Sequence, residues 1–142
     1  MSRRSGYETV VPMTRHARCS CGQLSVEADG EPARISVCHC LECQRRTGSV
    51  FGAQARFAED AVRVHGSSTA FSRTGDSGGE ITFHFCPRCG STVYYRLGRM
   101  PGVVMVALGA FADPSFPSPS VAIYGDRKHA WVKLEGEIDE RH

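Results

Sequence analysis

The sequence predicts a mostly β fold, a single domain of short antiparallel sheets with little helix, and three observations carry that expectation. Apolar and polar residues alternate with a period of two in one segment after another. These segments are short and bounded by clusters of Gly, Pro, Asp and Ser. No stretch sustains the period of about 3.6 that a long amphipathic helix needs. A chain of 142 residues with 41% hydrophobic content has enough apolar material for one ordinary core.

Residues 1–14 lack periodicity and are expected to form an arm, ahead of a domain over 15–135 and a polar tail over 136–142. Leu24, Val26 and Ala28 alternate with Gln23, Ser25 and Glu27, which predicts a half-buried strand entered from Cys19-Ser20-Cys21-Gly22. After a turn at Asp29-Gly30-Glu31-Pro32, Ile35 and Val37 give a second strand that ends at Cys38. Phe51, Ala53, Ala55 and Phe57, alternating with Gly52, Gln54 and Arg56, give a third. Ala58-Glu59-Asp60 reads as a one-turn connector, Val62 and Val64 as a brief strand, and 69–73 as an edge strand. The loop Gly75-Asp76-Ser77-Gly78-Gly79 has no Lys-Ser/Thr and no helix pattern behind it, so it predicts a hairpin turn rather than a phosphate cradle. Ile81, Phe83 and Phe85 form a strand running into Cys86-Pro87-Arg88-Cys89-Gly90, and Val93 and Tyr95 continue as another. The run 103–108 is apolar on both faces and is expected to be central; it is about half the roughly 20 residues of a membrane span. Residues 113–119, rich in proline, are expected to be irregular, and 121–124 and 129–134 to be the last two strands.

Net charge is +2 with the signs interspersed, and the local excesses at Arg3, Arg4, Arg15 and Arg18 and at Glu135, Glu137, Asp139 and Glu140 are short. Neither predicts a nucleic-acid partner. Residues 6–15 contain Glu8, Thr9, Pro12 and Thr14 and so lack the apolar core of a signal peptide. A cytoplasmic protein with no membrane or nucleic-acid partner is expected. Seven cysteines is an odd number, and in a reducing compartment thiols are free or metal-bound, so metal is favoured over a disulfide framework.

Cys38-His39-Cys40-Leu41-Glu42-Cys43 packs three thiols into six residues. On an extended segment Cys38 and Cys40 point the same way and can share an ion to which Cys43 returns over a short turn. His39, between them, is expected to point away. The pairs Cys19/Cys21 and Cys86/Cys89 can complete a closed four-sulfur tetrahedron, which leaves Cys38, Cys40 and Cys43 as a three-ligand site with an exchangeable position. The rival partition sets Cys19, Cys21, Cys38 and Cys40 against Cys43, Cys86 and Cys89, and separates ligands that are already adjacent. His84 shares strand parity with Cys86 and is expected near the four-sulfur site or packed beside it.

These motifs resemble the glutathione-dependent formaldehyde-activating enzymes and their relatives, which include a centromere protein. The resemblance runs in order through Cys19-Ser20-Cys21-Gly22, Cys38-His39-Cys40 with Cys43, Arg45-Arg46-Thr47-Gly48-Ser49, Phe85-Cys86-Pro87-Arg88-Cys89-Gly90, residues 109–114 and the Trp131 region. It implies a β-tent fold and two zinc ions per chain, a structural one on Cys19, Cys21, Cys86 and Cys89 and a catalytic one on Cys38, Cys40 and Cys43. It further implies a carbon–sulfur lyase-type reaction in which formaldehyde and glutathione form S-(hydroxymethyl)glutathione. Under that implication a small-molecule thiol or thiol–aldehyde adduct is the partner. Arg45 and Arg46 would meet its carboxylates, and Thr47, Gly48 and Ser49 would supply a polar wall. The segment after Cys43 looks like the broad family rather than its formaldehyde-active members, and Ala112 stands where many relatives carry an acidic residue. Two other functions are consistent with the same cysteines: a zinc-stabilised protein-binding module, and a sensor whose thiols release metal on oxidation.

Overall fold

The computed structural model describes residues 13–76 and 78–142, so the arm expected at 1–14 lies outside the described residues except for Met13 and Thr14. The strands are β1 (Thr14–Arg18), β2 (Ser25–Asp29), β3 (Arg34–Cys38), β4 (Gly52–Ala58), β5 (Val62–His65), β6 (Thr69–Thr74), β7 (Glu80–Phe85), β8 (Thr92–Leu97), β9 (Val103–Ala107), β10 (Val121–Ile123) and β11 (Asp139–Glu140). A short helix, α1 (Leu41–Thr47), lies between β3 and β4, and single 3-10 turns cover Glu59–Ala61, Leu108–Phe111 and Gly125–Arg127. A three-stranded sheet has the order β1-β2-β5, and an eight-stranded sheet has the order β11-β10-β3-β4-β9-β8-β7-β6. Pairing is antiparallel except at β3–β10 and β10–β11. The fold is therefore mostly β, and β9 is interior and β6 is an edge, as the apolar run and the polar strand respectively predict.

Alternation decides what each face does. On β4 the register sets Ala55 against Ile35 and Val106, and Phe57 against Val104, so these side chains share one face. That face meets Ala17, Leu24, Val26 and Ala28 of the small sheet and its approaches, together with Val93, Tyr94 and Phe111, in the main core. The opposite face carries Gln54 and Arg56, paired with Ser36 and Arg34 on β3 and with Ala107 and Met105 on β9. It continues across Tyr95 and Phe83 to Phe71 and Arg73 on the edge strand. A second apolar cluster of Phe83, Tyr95 and Met105, with Ile81, Leu97 and Val103 against it, covers that face. The candidate functional site is built on this second face.

Three departures from the sequence reading have physical causes. Residues 41–47 form a helix because Cys40 caps its start, Glu42 lies in the first turn, Arg45 and Arg46 in the last, and Gly48 closes it at φ 73°. Thr14–Arg18 is a strand although only Ala17 of its five residues is buried, because it pairs along its whole length with β2. Residues 129–134 form no strand: Val132 N–H closes a turn onto the His129 carbonyl at 3.0 Å. The edge of β10 that such a strand would need is taken by β11, from the polar segment 136–142.

On the small sheet, Arg63 reaches both Glu27 (3.0 Å) and Asp29 (2.8 Å). The hydrogen bond from Arg63, helped by that from Thr14, holds the Asp29 carboxyl down at about 2. A depressed carboxylate supports the fold above the ordinary carboxylate range and loses that support as pH falls toward 2. Arg63→Met is expected to return the Asp29 titration toward the ordinary carboxylate value, as read by carboxyl-carbon NMR. Gly66, between β5 and β6, has φ +95°, and a Cβ there would lie 1.8 Å from the Gln23 carbonyl oxygen. Gly66→Ala should destabilise the protein by at least about 2 kcal/mol in urea denaturation, because both the backbone and the neighbour resist it.

Candidate functional site

Two groups of sulfur atoms form where strands end. Cys19 follows β1, and its Sγ accepts the Leu24 N–H at 3.3 Å. Cys86 follows β7, in a turn closed by Gly90 N–H on the Cys86 carbonyl at 2.8 Å, and its Sγ accepts the Arg88 N–H at 3.3 Å and the Gln23 Nε2–H at 3.1 Å. The Sγ atoms of Cys19, Cys21, Cys86 and Cys89 all lie within 4.8 Å of one another, with Cys19–Cys21 and Cys21–Cys86 at 3.7 Å. Sulfur ligands about 2.3 Å from a tetrahedral ion are themselves about 3.8 Å apart. Both this spacing and the N–H donors aimed at sulfur fit four thiolates around one ion. The Ser91 side chain and backbone, bonding to Cys89, hold its thiol down at about 5.

The second group sits on α1. Cys38 ends β3 opposite Gly52 of β4 and beside Ile123 of β10. Cys40 is the helix cap, its Sγ accepting the Cys43 N–H at 3.3 Å, and Cys43 lies inside the first turn. A Cβ on Gly52 would meet Arg46 Nη2 at 3.0 Å and Cys43 Cβ at 3.6 Å, so a glycine there lets the helix settle against the sheet. All three cysteines are buried and their Sγ atoms lie within 4.8 Å of one another. Hydrogen bonds from the Cys38 and Cys43 thiols hold Cys40 far below the ordinary thiol range, and the same bonding to Cys40 pushes Cys38 up. The cluster on its own thus concentrates one negative charge at Cys40, and three thiolates coexist there only beside a cation. Each cluster could hold a metal ion.

A cavity of about 200 Å³ opens over Cys38, Cys40 and Cys43. Its apolar surface includes Phe83, Tyr95, Met105 and Ile123, and three arginines from three elements line it: Arg46 of α1, Arg56 of β4 and Arg73 of β6. Arg46 lies over the Phe83 ring at 4.9 Å and the Tyr95 ring at 5.4 Å, and Arg73 lies over Phe83 at 5.4 Å. Among the described residues none of the three has a carboxylate ion-pair partner. Burial pushes the Tyr95 hydroxyl up, and desolvation does the same to Tyr124, so both line the cavity as protonated donors. Tyr124 adopts the left-handed conformation (φ 57°, ψ 43°) directly after β10, rare for a non-glycine residue, and packs on the three cysteines.

Of the five residues expected to meet a substrate, Arg45, Arg46, Thr47, Gly48 and Ser49, only Arg46 lines this cavity. Arg45 is exposed and paired with Glu42 at 2.7 Å. Thr47 Oγ1 donates to the Cys43 carbonyl at 2.8 Å and accepts the Ser49 N–H at 3.0 Å, and Gly48 closes the helix. A second hollow of about 370 Å³, lined by Glu42, Arg45, Phe71, Phe85 and Thr92 among others, shares Arg46, Arg73 and Phe83 with the cavity. The sequence reading missed Gln54, Arg56, Arg73, Tyr95 and Tyr124; the polar positions alternating with the core on β4 were the available signal for the first two. His39 is fully buried with its ring edge-on to Phe51 at 5.9 Å, outside the sulfur cluster. His84 stacks on Tyr94 at 4.5 Å and pairs with Ser68.

The family model described as glutathione-dependent formaldehyde-activating enzyme matches residues 14–127. No curated protein matches the chain. Among solved structures, the crystal structure of a Rhodobacter sphaeroides protein matches with a TM-score of 0.53 and 22% identity, over 67% of this chain and 85% of that one. That similarity is one of fold.

With the four-sulfur group left metal-bound and the three-cysteine group stripped by brief chelation, alkylation of Cys40 by iodoacetamide should persist at pH values well below the free-thiol range of about 8.5, while Cys38 stays unreactive there. The sign follows from the shifts: a lowered pKa retains thiolate as pH falls, and a raised one withholds it. Peptide mapping of the alkylated cysteines across pH measures both.

Proposed function

The chain belongs to the glutathione-dependent formaldehyde-activating enzyme family, and we propose that it makes and breaks the carbon–sulfur bond of a thiol–aldehyde adduct, as an S-(hydroxymethyl)glutathione synthase does. In this reading the ions are zinc. Cys19, Cys21, Cys86 and Cys89 hold a structural one, and Cys38, Cys40 and Cys43 a catalytic one, in a β-tent fold. The observation that supports the assignment best is that the three-cysteine group lines a cavity with arginines and tyrosines around it. Zinc bound there would leave a position for a substrate atom and would stabilise a substrate thiolate at neutral pH.

The chain's own residues do the rest. Adduct formation joins the thiol sulfur to the carbonyl carbon and carries the thiol proton to the carbonyl oxygen, with no change of oxidation state overall. The Tyr124 hydroxyl, held protonated beside the cysteines, is a donor for that oxygen. Arg46 and Arg73, standing between the cavity and the outer hollow, meet the carboxylates of a thiol such as glutathione whose body lies outside. Phe83, Tyr95 and Met105 keep water from the reacting atoms. The arginine-lined cavity favours this reading over a binding module without chemistry.

Elemental analysis should find two zinc ions per chain, one released to a chelator much faster than the other. Cys40→Ser should lose the enzyme-dependent exchange between free and adduct thiol, measured by NMR with glutathione and formaldehyde, yet melt cooperatively. Cys89→Ser should fail to fold, since it breaks the closed site. A single tightly held zinc, or equal unfolding of both variants, would overturn the division of roles.

A further inference from the structure

One end of the cavity carries polar groups that neither formaldehyde nor the body of a thiol accounts for. Arg34 and Arg56 are direct cross-strand partners on β3 and β4, two like charges set against each other. Such a pair weakens a sheet. Each has a buried Nε with no hydrogen-bond partner, and among the described residues neither has a carboxylate ion pair. Gln54, next on the same face, is 3% exposed. Its Nε2 donates to Ser36 Oγ at 2.7 Å, while its Oε1 is buried without a partner. Gln54 and Arg56 line the cavity together with the three cysteines. The Ser36–Gln54 level lies one same-face step, about 7 Å, from Cys38 along the strands. A guanidinium in want of an anion and an amide oxygen in want of a donor thus stand side by side within reach of the sulfur site.

We infer that this end is a subsite for a 2-hydroxy carboxylate, and that the aldehyde handled here is a 2-oxo acid of the glyoxylate type rather than formaldehyde. The inference rests on the reaction class proposed above. Addition of a thiol to glyoxylate forms one C–S bond, converts the aldehyde C=O to C–OH and moves the thiol proton to that oxygen, with no co-reactant. The product bears a hydroxyl and a carboxylate on the carbon bonded to sulfur. The hydroxyl donates to Gln54 Oε1, the carboxylate accepts from Arg56, and Arg34 adds to the positive potential behind it. A space of about 200 Å³, the volume of about six or seven waters, suits such a head group, with the remainder of the thiol in the outer hollow. Formaldehyde has nothing to offer Arg56.

Glycolate, an unreactive 2-hydroxy carboxylate, tests the subsite by binding alone. Titrated into the zinc-loaded protein by calorimetry, it should bind while ethylene glycol, of the same size and neutral, should not. Arg56→Met, which keeps the aliphatic stem, should weaken glycolate by about tenfold or more. Equal binding of glycolate and ethylene glycol overturns the subsite without any variant. Glycolate bound equally by wild type and Arg56→Met is held by the metal, and also overturns it. Exchange NMR with 2-mercaptoethanol then compares aldehydes: glyoxylate should be accelerated more than formaldehyde, and Arg56→Met should slow the glyoxylate exchange more than the formaldehyde exchange. Faster or equal turnover of formaldehyde refutes the 2-oxo acid assignment. Arg56-dependent glycolate binding with no acceleration of any pair would instead leave the subsite standing and refute the reaction class.

Discussion

Four sulfur atoms from two distant parts of the chain meet where the small sheet joins the large one, and a metal ion held there would fasten the junction on which the rest of the fold is arranged. Cys19 and Cys21 leave β1 and Cys86 and Cys89 leave β7, yet their Sγ atoms lie within 4.8 Å of one another. Gln23 reinforces the junction by donating to Cys86 Sγ and to the Ser67 carbonyl while accepting the Ser67 N–H. Between the sheets the core combines many small and β-branched residues, Ala17, Ala28, Ala55, Val26, Val93, Val104 and Val106, with a few larger ones, Leu24, Phe57, Tyr94 and Phe111. Short strands bury little area each, so closing the two sheets at their ends would matter more than in a fold with long helices across its faces.

That closure leaves the second face of the large sheet free for chemistry. A sheet with one face in the core and one toward solvent ordinarily shows polar residues outward. Here the outward face carries Phe83, Tyr95 and Met105 beside Arg46, Arg56 and Arg73. The aromatic rings give the guanidiniums a surface to lie on, which positions them without neutralising them. Carboxylate partners at those positions would fix the arginines equally well and would remove their capacity to meet an anion.

Much of this was legible in the residues, and the parts that were not share a cause. Period-two alternation located β2, β3, β4 and β7, because each has one face committed to a core, and a run apolar on both faces located β9. The cysteine spacing divided seven thiols into the two groups that the fold assembles. The helix at 41–47 escaped because its cap is a cysteine where a serine, threonine or aspartate would have announced it. The strand expected at 129–134 failed because edge occupancy is a property of the whole sheet and not of a segment. Arg56 and Arg73 were invisible as neighbours for the same reason. They stand at opposite ends of an ordering, β4-β9-β8-β7-β6, that local pattern does not reveal.

The electrostatics of the cavity bear on why its arginines are so many. Three buried thiols close together resist joint ionisation, and Arg46 favours the Cys43 thiolate as Arg73 favours that of Cys40. Two of the three guanidiniums therefore serve the sulfur site even before a substrate arrives. Arg56 does not share that duty in the same way: it stands beyond Gln54 along β4, set against Arg34 where a neutral or acidic residue would have strengthened the sheet. A like-charge pair across two strands costs stability in the free protein, and an anion bound at Arg56 relieves it. The same opposition that weakens the free sheet thus increases the free energy gained on binding a small anion at that end.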